Sequence, residues 1–491
     1  MRPPLNIPTI PTSRGEAWQT AGELFSGLVT PTLRLGVTGL SRSGKTVFIT
    51  ALVRALVSGG RLPFLKADAE GRIESASLEP QPDHSLPRFD YEAHIAALAG
   101  DPPEWPRSTR RISQLRVTIE FRPEGYLRRA LGVRHLNIDI VDYPGEWLTD
   151  LSLLQQDFGA WSREALALAH EPRRAAAAKD WLAFVLNLDP SERQNEQRAL
   201  EGAKLFTAYL HAARETEAVS TLGPGRFVMP GDLEGSPLLT FFPLALPEGT
   251  EPSRGSLAAM LAGRYESYRR KVVQPFFRDH FKCLDRQIVL VDVLSALNGG
   301  PAAVADLQRA LDGVLAVFRP GTNAWYASLI GQKRVDKLLF AATKADHLHH
   351  TSHDRLEAIL RLMTDRAIQR AETAGAGVEV MALSALRATR EAEARDGHQL
   401  LPCIAGVPLP GERLGAKVFD GREETALFPG DLPADPAKAL ANAGSGAQTA
   451  AAFLRFRPRR VLLPGADGVS PPAPHIRLDR ALDFLIGDWL S

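Results

Sequence analysis

Apolar and polar positions follow two rhythms along this chain. In TLRLGVTG, Leu33, Leu35 and Val37 alternate with polar or small residues, the period of a strand. Directly downstream, KTVFITALVRALVSGG changes to helical spacing, with Val47, Phe48, Ala51, Leu52, Ala55 and Leu56 recurring until Gly59 and Gly60 stop the helix. Leu115, Val117, Ile119 and Phe121 alternate with Arg116, Thr118 and Glu120, and Leu136, Ile138 and Ile140 alternate with Asn137 and Asp139. The link between these two half-buried strands carries a Pro-Glu-Gly turn and is short for a helical crossover, so it favours an antiparallel hairpin. RQIVLVDVLSALNGG, at 286–300, reads as a central strand followed by the helix AAVADLQRALDGVLAVF. Leu338 to Ala342 read as a buried parallel strand, HDRLEAILRLMTDRAIQRAETAG as a helix, and GVEVMALSALRA as a further strand. The stretch from Leu62 to Pro106 is proline-rich and reads as a long mobile loop.

The junctions between these elements carry the chemistry. Between the first strand and the first helix stands GLSRSGKT, Gly39 to Thr46, the strand–glycine loop–helix context of a phosphate-binding loop. Gly39 and Gly44 permit the turn and a close approach to phosphate. The amides of Ser41, Arg42, Ser43, Gly44, Lys45 and Thr46 form an anion nest at a helix N-terminus, and Val47 belongs to the same nucleotide-facing set. Lys45 reaches the β- and γ-phosphates, and the Thr46 hydroxyl is a ligand for Mg²⁺. Arg42 either touches phosphate or stays exposed.

The hairpin's second strand ends in DYPGE. Asp142 there suits Mg²⁺ binding through water, and the Gly145 amide suits sensing of a γ-phosphate. KLLFAATKADHL supplies a base-reading element. Asp346 accepts two hydrogen bonds from guanine N1 and N2, which adenine cannot offer. The stem of Lys344 covers the base, with Thr343 in place of the commoner Asn, and His347 completes the set. Ser384-Ala385, at the end of the next strand, brings backbone to guanine O6. The switch that meets the γ-phosphate is sought in DPPEWPRSTRRIS, where Thr109 or Ser108 is the metal-binding hydroxyl and Trp105 a stacking surface for a ligand or a partner.

Asp142 and Thr343 lie several times farther apart than in a compact Ras-like domain. The surplus, 148–284, is rich in Ala, Leu, Arg and Glu and reads as a mostly helical insertion domain. The expected organisation is an N-terminal extension at 1–30, GTPase-domain segments at 31–147 and 285–397 flanking that insertion, and a C-terminal part at 398–491. The extension carries an amphipathic helix with Trp18, Ala21, Phe25 and Leu28 on one face; packing on the protein itself is favoured over lying on a membrane. The C-terminal part holds short strands such as KVFDG and FLRFRPRRVLL and closes in the amphipathic helix RLDRALDFLIGDWL.

Composition narrows the class further. Fifty-eight basic residues balance 57 acidic ones, a net charge of +1, which argues against a dedicated nucleic-acid binder. Two cysteines, Cys283 and Cys403, lack metal-site spacing and point to a reducing compartment. No apolar run approaches the roughly 18 residues of a membrane span, and no signal peptide is read in MRPPLNIPTIPTS. A cytoplasmic protein follows, with peripheral association at the inner membrane as the variant.

With GLSRSGKT, DIVDYPGEW and TKADHL together, the chain resembles the YcjX-like family of bacterial P-loop GTPases, nearly end to end; PGEW is the most distinctive stretch. The resemblance implies an α/β P-loop NTPase fold of the Ras and translation-factor class, a mostly parallel sheet with an antiparallel hairpin strand plus a helical insertion. It also implies GTP or GDP with Mg²⁺ as ligands, slow hydrolysis, an insertion that moves with nucleotide state, and a stress-response role of the phage-shock type with a membrane-protein partner. Ras-like proteins position the attacking water with Gln after Asp-x-x-Gly. Glu146 stands there instead. Its carboxylate is repelled by a triphosphate, so Glu146 either acts on water or faces the switch backbone or a basic residue, and low intrinsic turnover is expected. A P-loop ATPase or small-molecule kinase, and a module that binds nucleotide without turnover, are the competing classes.

Overall fold

The computed structural model describes residues 30–109, 111–125, 133–215, 219–247, 249, 251–280, 283–315, 335–396, 399–443, 453–463 and 471–491. The amphipathic helix expected around Trp18 to Leu28 lies outside them.

Seven strands form the main sheet: β1 (Thr32–Gly39), β2 (Ile73–Glu79), β3 (Ser113–Phe121), β4 (Arg134–Asp142), β5 (Arg286–Val291), β6 (Lys337–Ala342) and β7 (Gly377–Ala382), in the order β2-β3-β4-β1-β5-β6-β7. From β4 to β7 all pairs are parallel, with Leu35 opposite Ile140 and Val37 opposite Ile288. β3 runs antiparallel to β4 along its whole length, the hairpin that the alternation predicts. Parallel strands covered on both faces bury side chains of either parity. Accordingly Ile288, Leu290, Leu339 and Ala341 enter one core, while Val289, Val291, Leu338, Phe340 and Ala342 enter the other.

One expectation is corrected here. The stretch from Leu62 to Pro106 is not a loop: it contains a turn of helix at Lys66–Ala69, the edge strand β2 and a helix, Tyr91–Ala99, capped by the Asp90 carboxylate on the Ala93 amide. The alternation that would have revealed β2 is broken by a register shift between Ile73 and Ser75, so Ile73 falls out of phase with Ala76 and Leu78.

Helices cover the two faces. On one lie α1 (Lys45–Val57) and the chain's last helix; on the other lie α2 (Pro301–Leu315), α3 (His353–Thr373) and the helices of the long insert. Within the insert, three long helices, Phe158–Ala169, Pro172–Leu186 and Glu196–Glu215, are joined by Leu257–Tyr268 around an aromatic centre. Trp161 stacks on Tyr265 at 4.9 Å and Trp181 on Tyr209 at 5.3 Å, spacings at which offset ring pairs attract. This core continues without a break into the layer beneath the sheet through Leu151, Leu154 and Val289.

The C-terminal part builds a three-stranded antiparallel sheet from Arg390–Asp396, Gln399–Gly406 and Thr425–Leu427, and its first hairpin straddles residue 398. KVFDG contributes a two-residue ladder at Lys417–Val418. FLRFRPRRVLL is not a laddered strand: among its described residues a single bridge joins Phe456 to Pro408, and Pro458, lacking an N–H, interrupts any ladder. The closing helix, Leu478–Ile486, buries Leu478, Ala481, Leu482, Leu485 and Ile486, an i, i+3, i+4, i+7, i+8 stripe, against the sheet. Leu482→Ala is therefore expected to cost about 2–5 kcal/mol in urea unfolding; a loss under about 1 kcal/mol would mean that this helix is not part of the core.

Candidate functional site

Strands β1, β4, β5, β6 and β7 all end at one edge of the sheet. The chain leaves β1 for one flank and returns to β5 on the other, so β1 marks a topological switch point, the place where open α/β sheets bind ligands. A cavity of about 480 Å³ opens there. Ser41 to Val47, Trp105, Ser108, Thr109, Gly145, Glu146, Thr343, Lys344, Asp346, His347, Ser384 and Ala385 all line it; Asp142 lies just behind the wall.

The loop between β1 and α1 is a succession of amides turned inward. Gly39 has φ 153°, Arg42 φ 64° and Gly44 φ 91°; such alternation of hand makes an anion-binding concavity. A Cβ on Gly39 would lie 2.6 Å from the Leu290 carbonyl oxygen, so no larger residue fits beside β5. Lys45 is buried, and its Nζ donates to the carbonyls of Gly39 at 2.8 Å and Leu40 at 3.0 Å. Burial lowers its pKa, against the pull of Asp142 and Glu146 upward. The cation is thus held on its own loop, within reach of an incoming phosphate.

Three hydroxyl and carboxylate groups meet beside it. Thr46 Oγ1 lies 3.3 Å from Thr109 Oγ1, and the Thr109 hydroxyl donates to Asp142 Oδ2. Asp142 Oδ1 is buried with no hydrogen-bond partner among the described residues. Burial pushes the Asp142 carboxyl up to about 6, while the Lys45 charge opposes that rise. An orphaned carboxylate oxygen on a group that is linked to two hydroxyls matches the hard-oxygen donor set that Mg²⁺ takes, so these residues fit the ion. Of the two hydroxyls considered for the switch, Thr109 reaches this cluster, while Ser108 lines the cavity only.

The opposite end of the cavity is built on β6 and β7. Lys344, at φ 62°, turns the chain at the end of β6 and forms an ion pair with Asp292, which also caps the short helix after β5. Asp346 is buried, and its Oδ2 accepts from the amides of Ala388 at 2.7 Å and Thr389 at 3.3 Å. Oδ1 takes no protein hydrogen bond among the described residues, leaving it for a ligand donor. Ser384 is fixed by its hydroxyl on the Leu386 carbonyl at 3.1 Å and by a backbone exchange with Ile476. The His347 ring meets Phe456 edge-on at 5.2 Å, and Glu412 and Arg455 complete that wall.

The third wall is the turn after β4. Gly145 approaches the phosphate loop so closely that a Cβ would lie 2.6 Å from the Leu40 carbonyl carbon and 2.7 Å from the Ser41 nitrogen. Glu146 is buried and faces a basic residue rather than the cavity centre: its Oε1 accepts from Ser41 Oγ at 3.0 Å and from Arg214 Nη2 at 2.7 Å.

Sequence reasoning missed Arg214, Asp292 and the Phe456 wall. Asp292 carried a signal, an acidic residue just past a buried parallel strand. Arg214 and Phe456 carried none, because each is one of many arginines or phenylalanines and reaches the site only through packing of remote segments.

This fold and its phosphate loop define a P-loop NTPase of the Ras and translation-factor GTPase class. The YcjX-like family, DUF463, matches residues 33–490, and the chain belongs to that family. It is 39% identical over 469 residues to Ras-like GTPase YcjX of Escherichia coli (strain K12), covering 93% of this chain and 96% of the relative. It is 35% identical over 486 residues to Ras-like GTPase YcjX of Shewanella oneidensis, covering 94% and 95% respectively. Among the described residues no helix is long and apolar enough to cross a membrane.

Removing the buried cation of the loop tests the phosphate end. Lys45→Ala is expected to weaken nucleoside triphosphate binding by about a hundredfold or more in calorimetry, roughly 2.7 kcal/mol; unchanged affinity would contradict the phosphate-loop assignment.

Proposed function

We propose that this protein is a regulatory GTPase that binds GTP and GDP with Mg²⁺ and hydrolyses GTP slowly. The observation that carries the reading is the joining of two ends in one cavity. Backbone amides and Lys45 stand at the phosphate end, and the open Oδ1 of Asp346 stands at the base end. A buried carboxylate rewards guanine, which offers two donors, and penalises adenine, which leaves it unpaired. Thr46, Thr109 and Asp142 would hold Mg²⁺, whose charge offsets that of the phosphates. Glu146, held by Arg214 and Ser41, is withdrawn from attacking water in this conformation, which supports low intrinsic turnover.

A regulatory role is supported by the way the turn after β4 is embedded in the insert. Trp147 Nε1 donates to the Met229 carbonyl at 2.8 Å, and the Arg226 guanidinium lies 3.2 Å over its ring. Thr149 donates to the Leu222 carbonyl at 3.1 Å, and Asp150 accepts from the Gly225 amide and the Tyr268 hydroxyl, each at 2.5 Å. Gly225 has no room for a side chain, since a Cβ would lie 1.9 Å from the Glu146 carbonyl oxygen. A γ-phosphate that pulls on the Gly145 amide therefore displaces Gly225 and the helices behind it, a two-state coupling of switch and insert. The insert is the natural element to engage a protein partner. An envelope-stress role, with a membrane-protein partner and a cytoplasmic, membrane-peripheral location, follows from family resemblance.

Competition against a fluorescent guanine nucleotide tests the reading. GTP and GDP should displace the probe at least about a hundredfold better than ATP, and Asp346→Ala should erase the preference. Equal displacement by ATP would favour a P-loop ATPase or small-molecule kinase. Phosphate release that stays at the buffer rate would identify a module that binds without turnover.

A further inference from the structure

We propose that Arg214 is a catalytic arginine of GTP hydrolysis, supplied by the insert of the same chain and held on Glu146 until a γ-phosphate arrives. The proposal rests on the GTPase reading above. Arg214 occupies the last turn of the helix Glu196–Glu215 and enters the cavity wall beside Ser41, Gly145 and Glu146, on the phosphate side. It is the insert's one cation there among the described residues, and it reaches a position beside the turn that senses the γ-phosphate.

Its bonding differs from that of the insert's structural arginines. Arg174 is buried and makes three hydrogen bonds, to the Thr221 carbonyl at 2.8 Å, to the Thr221 hydroxyl and to Asp306 at 2.5 Å. Arg226 is spread over Trp147 and bonded to the Pro230 carbonyl and Asp232. Arg214 shows a single hydrogen bond, from Nη2 to Glu146 Oε1 at 2.7 Å; its side chain is 25% exposed and the residue lines the cavity. A guanidinium has five donors in a planar fork, and the remainder of this fork has no protein acceptor among the described residues. Lys45 shows the same logic, with its ammonium resting on loop carbonyls until phosphate replaces them.

A bound γ-phosphate changes the balance of this pair. The incoming oxyanions compete with one carboxylate for the guanidinium and offer bidentate geometry that a single carboxylate oxygen does not use here. Arg214 then moves to the phosphate, and Glu146, freed from its cation, accepts a hydrogen bond from the attacking water. The water oxygen bonds to the γ-phosphorus as the bond from that phosphorus to the β–γ bridging oxygen breaks. The water proton ends on the released phosphate, and GDP leaves with the bridging oxygen. Arg214 transfers no proton; it holds charge that develops on the γ-oxygens and the bridging oxygen. With the arginine in the same chain but spent on Glu146 in the ground state, turnover is slow, of the order of 10⁻² s⁻¹, as in other GTPases with a built-in arginine.

The test uses the full-length protein and three readouts. Arg214→Ala is expected to lower single-turnover GTP hydrolysis about a hundredfold or more, to leave GDP affinity within about threefold, and to abolish the aluminium-fluoride-dependent gain in GDP affinity. Millimolar guanidinium ion should restore at least about tenfold of the lost rate, which a role confined to folding would not allow. Arg214→Lys keeps the ion pair with Glu146, and hence the fold, but lacks the fork; its rate should remain at least about tenfold below wild type. A wild-type rate in either variant overturns the proposal, as does a loss of GDP affinity in step with the rate and without guanidinium rescue. Wild-type protein that takes up no GTP overturns the GTPase reading along with it; a wild type that turns over GTP at the same rate as Arg214→Ala overturns the arginine alone.

Discussion

One buried cation organises this molecule. Lys45 lies at the carboxyl end of the central strand with its charge spread over two loop carbonyls, while the carboxylates of Asp142 and Glu146 act on it from nearby. That arrangement is stable only because the loop is locked between β5 and the turn after β4. Gly39 packs on the Leu290 carbonyl, and Gly145 packs on the backbone of Leu40 and Ser41. The loop is therefore held with its amides turned inward whether or not an anion is bound.

Two walls of the cavity come from segments with no place in a minimal GTPase fold. The insert contributes Arg214 and the residues around Leu222 and Gly225, while the C-terminal part contributes Glu412 and Phe456. The first group meets the end of the cavity at Lys45 and the second the end at Asp346. The insert's aromatic core runs unbroken into the sheet's lower layer, so the turn after β4 and the insert form one close-packed body. Asp150 lies within it: burial pushes its carboxyl up to about 6, against the bonds from Tyr268 and Gly225 that favour its charged form.

The elements with strict period were legible before any coordinates. β1, α1, the β3–β4 hairpin and the closing helix show alternation or 3.6-residue spacing, while β5 and β6, buried on both faces, show as short continuous apolar runs. β2 was not, because its register shift breaks the alternation, and the segment around Phe456 was over-read as a strand because Leu454 and Phe456 alternate into one core while Pro458 interrupts any ladder. At the site, the loop residues, Asp142, Gly145 and Asp346 were legible because backbone geometry and metal or base chemistry restrict residue type at fixed offsets from a strand end.

The chain's sequence by itself determined the phosphate loop, the acidic turn after β6 and the antiparallel β3–β4 hairpin, since these depend on local backbone demands and on burial period. Only the tertiary structure decided the partner of Glu146. Ser41 and Arg214 are 105 and 68 residues away from it along the chain, and an ion pair at such separation is chosen by how helices pack, which no local pattern encodes. The same holds for Phe456 against His347. Contacts that close a site from remote segments depend on the summed packing of everything between, and their residue types are common elsewhere in the chain.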